Sequence, residues 1–450
     1  MYLADRAAPA RGEAADGGVR GRAPAIPAVV LALGAVSLIT DVSSEMVTAV
    51  LPLYLVAGLG LSPLGFGTLD GVYNGVSALV QLAGGHLADR VRNHKLVAGI
   101  GYGLSALCKP LLLVVHSLGP LGAVLALERT GKGLRTSPRD ALISLSTPPA
   151  HRGRAFGVHR AMDTTGAVLG PVTAFLILRA AADGYDAVFG VSACVAVLGV
   201  LVLVLFVPGR TPDGMPGTAA RDAPDGTTGR NDGTTGRQDA GADGGATRPG
   251  GAPRVDLRTA FSLLRLPRLR ALTACAMLLG LTTVSDAFVY LLLQRRAGIG
   301  EEYFPLLPLG TAVIFLLLAV PCGVLADRVG RRTVFLAGHA GLLAAYALLL
   351  WAPGTGLLPF AVLGLHGVFY AATDGVLPAA VADVVPEQLR GSGLALVGTG
   401  QALARFCCSL AFGAAWTVWG DGRALLGSAV GLLLCAGVAG AVLRPARATP

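Results

Sequence analysis

Long apolar runs alternate with short polar connections along this chain. A helix that crosses a bilayer needs about 20 mostly apolar residues. Runs of that kind fall near 28–56, 64–88, 96–116, 119–143, 155–180 and 187–207. A second set falls near 270–294, 303–326, 333–352, 357–384, 392–418 and 423–443. The pattern predicts an all-α polytopic membrane protein with twelve transmembrane helices. Between the sets, residues 208–254 hold one large apolar side chain, Met215, among Gly, Asp, Thr and Arg. Such a stretch has too little apolar surface to bury to fold on its own. A disordered linker is therefore expected over 208–257. It joins helical bundles at 26–207 and 258–443, with polar tails at 1–25 and 444–450. The first apolar run is too long for a signal peptide, so the first span is expected to be retained.

Composition sharpens this picture. Of 450 residues, 53% are hydrophobic and 14% are charged, against about 25% charged in ordinary soluble chains. The net charge of +9 does not point to nucleic acid, because the bases sit in short connections between apolar runs. Arg90, Arg92, Lys95, Arg152, Arg154, Arg328, Arg331, Arg332 and Arg390 fall on one side of the membrane. Arg179, Arg295, Arg296 and Arg423 fall on the other. The richer side faces the cytoplasm by the positive-inside rule. Both termini and the linker are thus expected inside, in a chain embedded in the inner (plasma) membrane. The seven Cys lie in apolar segments without a C-x-x-C pair. No metal site, cofactor or required disulfide is expected.

The halves repeat. One offset of 238 residues separates Gly85 from Gly323, Asp89 from Asp327 and Arg90 from Arg328. The same offset separates Pro148 from Pro386, Arg152 from Arg390 and Gly153 from Gly391. A constant offset at separate loops indicates duplication. Six spans followed by six, both starting inside, make parallel halves with a substrate site at their interface near the midplane.

The repeated loop reads GVLADRVGRR at 323–332 and GHLADRVRNH at 85–94. With its neighbouring spans it resembles the major facilitator superfamily of secondary transporters, whose loop signature is G-x-L-A-D-R-x-G-R-[RK]. Gly323, Asp327, Arg328, Gly330, Arg331 and Arg332 match it fully. The first copy matches at Gly85, Asp89 and Arg90, then departs: Arg92 stands where Gly is expected, and Lys95 follows. The resemblance implies a latch that holds the cytoplasmic side closed in the outward-open state. In span four, LALERTGKG places Leu125, Arg129 and Gly133 on the pattern L-x-x-x-R-x-x-Q-G, with Lys132 replacing Gln. That implies a proton-coupling role for Arg129. In span five, GAVLGP at 166–171 resembles the G-x-x-x-G-P signature of the drug/proton antiporter branch. A small-residue packing seam accounts for the same residues.

Charges inside spans are costly and mark functional candidates. Asp41 and Glu45 stand one turn apart on one face of span one. Span four carries Glu128, Arg129, Lys132, Arg135, Arg139 and Asp140. Span five carries Arg160 and Asp163, span seven Asp286 and span ten Asp374. The resemblance implies that spans one, four, seven and ten line the cavity. Asp41, Glu45, Glu128, Arg129, Asp163, Asp286 and Asp374 are the candidates for the substrate or proton pathway. Arg135, Arg139 and Asp140 are expected to snorkel or pair locally at the cytoplasmic end. Lys109 is expected to pair structurally, with Asp70 as the candidate. His159, His339 and His366 are read as satisfied core residues, and Trp351, Trp416 and Trp419 as interfacial anchors.

The expected function is secondary transport of a small molecule by alternating access, with proton-coupled efflux first. Proton-coupled uptake of a metabolite or metal chelate is the alternative. A non-transporting sensor and a membrane-embedded enzyme are the other classes. An enzyme is disfavoured because the charged stretch at 128–140 has no Cys or His, and the chain has no G-x-x-x-x-G-K phosphate loop. The implied partners are the substrate, protons and the lipid bilayer, with a monomer as the working unit. The linker reading carries a direct test. Replacing 212–250 by a dozen Gly/Ser residues should leave detergent-stable protein and transport nearly intact. Loss of monodisperse protein on size-exclusion chromatography would overturn the tether reading.

Overall fold

The structure is a computed structural model that describes residues 26–90, 94–148, 151–207, 263–386 and 389–443. The predicted linker and both tails lie outside the described residues. Among these there is no strand. The first half comprises α1 (Ala28–Leu53), which continues as one wide turn at Tyr54–Gly58, α2 (Pro63–Arg90) and α3 (His94–Leu111). It is completed by α4 (Leu118–Leu145), α5 (Arg152–Ala180) and α6 (Gly184–Phe206). The second half comprises α7 (Pro267–Gly280), α8 (Asp286–Ala297), α9 (Leu306–Val329) and α10 (Arg331–Trp351). It ends with α11 (Leu358–Thr373), α12 (Val376–Val384), α13 (Arg390–Trp419) and α14 (Asp421–Val442). Helices α7 and α8 form one span, and α11 and α12 another, so the fourteen helices make twelve spans. The repeat extends to helix boundaries: α5 opens at Arg152 and α13 at Arg390, the same 238 residues apart.

Eight spans are long and apolar enough by themselves to cross a membrane. The second, third, fourth and seventh are not, and each has a physical reason. Spans two to four carry charges, six of them on α4 alone. The seventh is interrupted at 281–285, where Thr282 and Thr283 turn their hydroxyls back to the Leu279 carbonyl at 3.0 and 2.9 Å. Side chains supply the partners that a continuous helix would have provided. The Val284 amide donates to the Tyr346 hydroxyl at 2.8 Å, and Cys408 Sγ donates to the Thr283 carbonyl at 3.3 Å.

The complete copy of the repeated loop makes a tight turn at Gly330, whose φ is +95°. A side chain there would be strained. Arg331 ties the turn to α12 through Asp383 and the Ala379 carbonyl, and Arg332 reaches the Gly440 carbonyl of α14. The Asp327 side chain is exposed, 3.9 Å from Arg331. In the first copy α2 runs through Gly85, Asp89 and Arg90, residues 91–93 lie outside the described residues, and Lys95 Nζ donates to the Val204 carbonyl at 3.2 Å.

The ends at 28, 90, 206, 267, 329 and 442 share one face, here the terminal face. The two halves meet on the opposite face. One apolar cluster runs through the second half and into the opposite-face part of the first; a separate cluster of Val30, Leu33, Tyr102, Ile143 and Leu203 belongs to the first half alone. Phe66 of α2 meets Phe288 of α8 edge-on at 4.7 Å, and Phe288 meets Phe412 of α13 at 4.8 Å. The tightest seam between the halves is α2 against α13. There the Leu64 amide donates to Thr417 Oγ1 at 3.1 Å. A methyl on Gly413 would lie 2.5 Å from the Pro63 carbonyl, and one on Gly67 would meet the Ser409 carbonyl. Small residues let the backbones touch. Gly413→Val should therefore wedge this seam apart. In a background otherwise free of Cys, labelling of Phe66→Cys from the opposite face should rise several-fold. Unchanged labelling would show that the seam does not open as a unit.

Candidate transport site

Beneath that seam lies a cavity of about 360 Å³ between the halves. Its apolar end is formed by Leu51, Leu55, Phe66 and Phe304. Its polar wall includes Asp70, Tyr73, Asn74, Ser285, Asp286, Tyr370, Asp374 and Arg405. Both interrupted spans open onto it, the arrangement in which irregular backbone is tolerated at membrane depth. The break in span seven places Asp286 in the first turn of α8, where the helix dipole favours an anion. Asp286 accepts from the Tyr370 hydroxyl at 2.5 Å, and His366 Nε2 lies 3.4 Å from the same oxygen. Asp374 stands at the end of α11, at the break of span ten.

Of the seven pathway residues predicted from sequence, Asp286 and Asp374 line this cavity. Asp41, Glu45, Glu128, Arg129 and Asp163 instead belong to a ladder of ion pairs within the first half. Lys109 and Arg129 both bind Glu128, at 3.3 and 2.8 Å. Lys132 binds Glu45 at 3.2 Å, and Arg135 binds Asp41 at 3.2 Å. Arg139 binds Asp140 at 3.1 Å and Asp163 at 3.5 Å, and Arg160 also reaches Asp163, at 3.2 Å. The ladder forms because α4 presents residues 128, 132, 135 and 139 at helical spacing to α1, α3 and α5. It reaches the cavity wall through Arg129. The Arg129 guanidinium stacks on the Tyr73 ring at 3.7 Å, and the Tyr73 hydroxyl is 3.1 Å from Thr48 Oγ1. Tyr73 and Thr48 both line the cavity.

Several expectations change. Arg135 does not snorkel: it is buried, 3% exposed, and is the partner of Asp41. Lys109 pairs with Glu128 and not with Asp70, because α3 and α4 pack closely while Asp70 turns to the cavity. There Asp70 accepts from Ser409 Oγ of the other half at 2.6 Å and lies 3.4 Å from Asn74 Nδ2. His159 and His339 are satisfied, by Ser37 at 3.1 Å and by the Phe335 carbonyl at 2.8 Å. His366 is not: it is buried, and neither ring nitrogen makes a hydrogen bond of ordinary geometry. Trp351 and Trp419 are exposed at helix ends, whereas Trp416 is buried against Phe288 and Phe412 with Arg295 over its ring at 5.2 Å. The Gly166–Pro171 stretch is a contact seam, in which a methyl on Gly166 would fall 2.5 Å from the Leu38 carbonyl of α1. Sequence reasoning passed over Arg405. The available signal was a lone base inside an apolar span.

Two parallel six-helix halves around a central polar cavity define a secondary transporter fold. The chain belongs to the Major Facilitator Superfamily, whose family model matches residues 33–318 and 298–450. An uncharacterised MFS-type transporter of Methanocaldococcus jannaschii is 27% identical over 411 residues, covering 89% of this chain and 92% of that protein. Among solved structures, the nucleoside transporter NupG superposes with a TM-score of 0.72 at 12% identity, covering 93% of this chain and 100% of that one. A bacterial homologue of the human lysosomal transporter Spinster, solved inward-facing and unoccupied, gives 0.67 at 14%, covering 93% and 98%. The expected fold class and family are thereby established, and the family implies a small-molecule substrate.

Arg129 joins the ladder to the cavity wall through a planar stack that Lys cannot reproduce. A hydrogen bond to a charged group contributes about 1.5–3 kcal/mol. Arg129→Lys should give monodisperse protein whose flux in proteoliposomes falls about tenfold or more. Near-normal flux would show that only the charge matters.

Proposed function

We propose that the protein exports a small molecule across the inner (plasma) membrane in exchange for protons, with its terminal face and both termini in the cytoplasm. The observation that carries the reading is the central cavity. It is built from both halves, bears charged groups at membrane depth, and is covered on the opposite face by the α2–α13 seam. Three hydrogen bonds join described residues of the two halves, and all lie towards that opposite face: Leu64 to Thr417, Ser409 to Asp70, and Tyr185 to Glu301. The arrangement fits an inward-facing state of a monomer that rocks about the cavity. The exposed side chain of Asp327 fits a latch released in that state. The base-rich connections on the terminal face support the orientation. The resemblance of the Gly166–Pro171 stretch to antiporters supports export.

Proton coupling is assigned to the first-half ladder, with Asp41 as the coupling carboxylate. Asp41 is buried and held by one guanidinium, that of Arg135. A carboxylate whose ion-pair partner moves changes its proton affinity. Rocking of the halves that shifts α4 against α1 would therefore load and release a proton. Glu45 and Asp163 are the neighbouring acids that would share the task.

Two measurements test this reading. Deletion and overexpression strains are profiled for metabolites in cells and in the medium. Export predicts compounds that fall inside and rise outside on overexpression; the opposite shift indicates uptake. In proteoliposomes loaded with such a compound, Asp41→Asn should still exchange it between equal compartments but fail to concentrate it with a pH gradient. Gradient-driven accumulation at the wild-type rate removes Asp41 from the mechanism.

A further inference from the structure

The charged groups within the spans divide into two populations. Those of the first-half ladder pair with one another. In the cavity, Asp70 and Asp286 are each held by hydroxyl donors, Ser409 and Tyr370. Arg405 and Asp374 differ: both line the cavity, and neither side chain closes an ion pair or hydrogen bond with a described residue, Arg405 acting on Asp374 and Asp286 only at longer range. An unpaired charge at membrane depth is costly, so groups of this kind mark the place where a ligand supplies the partner. Two hydroxyls in the same wall point the same way. Ser285 Oγ faces the Asp70 carboxyl and Thr311 Oγ1 faces the Tyr290 hydroxyl, and neither closes a hydrogen bond of ordinary geometry. The same cavity also carries aromatic side chains, Phe66, Phe304 and Phe315.

We propose that the substrate is a zwitterion on an aromatic or apolar body, with its carboxylate bound by Arg405 and its amine by Asp374. This inference rests on the reading of the central cavity as the transport site. The guanidinium offers a planar fork of donors that matches a carboxylate. The Asp374 carboxylate offers acceptors alone, which match an ammonium group. The two charges engage opposite ends of one ligand. The apolar body takes the Phe side chains. A purely cationic ligand leaves Arg405 unpaired, and a purely anionic one leaves Asp374 unpaired beside two further carboxylates.

The test uses the purified full chain in lipid nanodiscs and three probes that share one ring: phenylalanine, phenylalaninamide and 3-phenylpropionate. Binding is read as the ligand-dependent rise in Tm, independently of flux. Phenylalanine should bind about tenfold or more tightly than either single-charge probe, one charge-assisted contact being lost in each. Arg405→Gln should abolish the preference for phenylalanine over its amide. Asp374→Asn should abolish the preference over 3-phenylpropionate. Arg405→Lys, which retains the charge, should keep part of the preference and serves if the Gln variant does not fold. Equal or tighter binding of the amide would replace the zwitterion by an organic cation. Tighter binding of 3-phenylpropionate would replace it by an anion, and binding of none of the three would overturn the proposal. If phenylalanine binds with the expected preference but is not moved in proteoliposomes, the transport reading fails while this assignment stands.

Discussion

The structure depends on one constraint: a charge inside a bilayer must find a partner. Buried ion pairs gain little net stability, but removing one partner costs about 3–5 kcal/mol because the other charge is left uncompensated. The first half meets the constraint internally. Seven ion pairs among spans one, three, four and five leave α4 densely charged yet packed on several sides. Those pairs fix which face of α4 meets α1 and which meets α3. They also hold Arg129 against Tyr73, a residue of the cavity wall. The second half meets the constraint differently, with two acids and one base turned towards the cavity from α8, α11 and α13.

The same economy of partners governs the backbone. Spans seven and ten are interrupted where they pass the cavity, and at the first break Tyr346 and Cys408 complete the hydrogen bonding. On the opposite face, glycines let α2 and α13 meet backbone to backbone, and the aromatic chain of Phe66, Phe288 and Phe412 fills the space beside them. Among the described residues, the hydrogen bonds joining the two halves lie towards that face.

Much of this was legible in the sequence because the signals are periodic or repeated. Apolar run lengths gave the spans, and the 238-residue offset gave the halves, down to Arg152 and Arg390 opening equivalent helices. Charge inside a span singled out Asp286 and Asp374, and both line the cavity. Pairing was not legible, because it depends on how helices rotate against one another. Asp41 meets Arg135, which was expected to snorkel or pair at the cytoplasmic end, and Arg129 pairs with its own neighbour Glu128. Lys109 took Glu128, and Asp70 was released to the cavity. Trp416 sits at a span end, as an anchor would, but its neighbours Phe288 and Phe412 draw it inward. Arg405 has no sequence neighbour of opposite charge, and only the assembled cavity shows what its isolation means.

The division between a half whose charges pair internally and a half with charges turned to the cavity has an evolutionary consequence. A change in any rung of the first-half ladder strands its partner in hydrocarbon, so that half should drift slowly and in compensated pairs. Arg405 and Asp374 close no ion pair within the described chain, and on the proposed assignment their replacement acts first on the ligand. Duplication therefore left one copy as a conservative chassis and freed the other to change its cargo by single steps. Specificity in descendants of this chain should diverge first at those two positions, with the ladder behind them left unaltered.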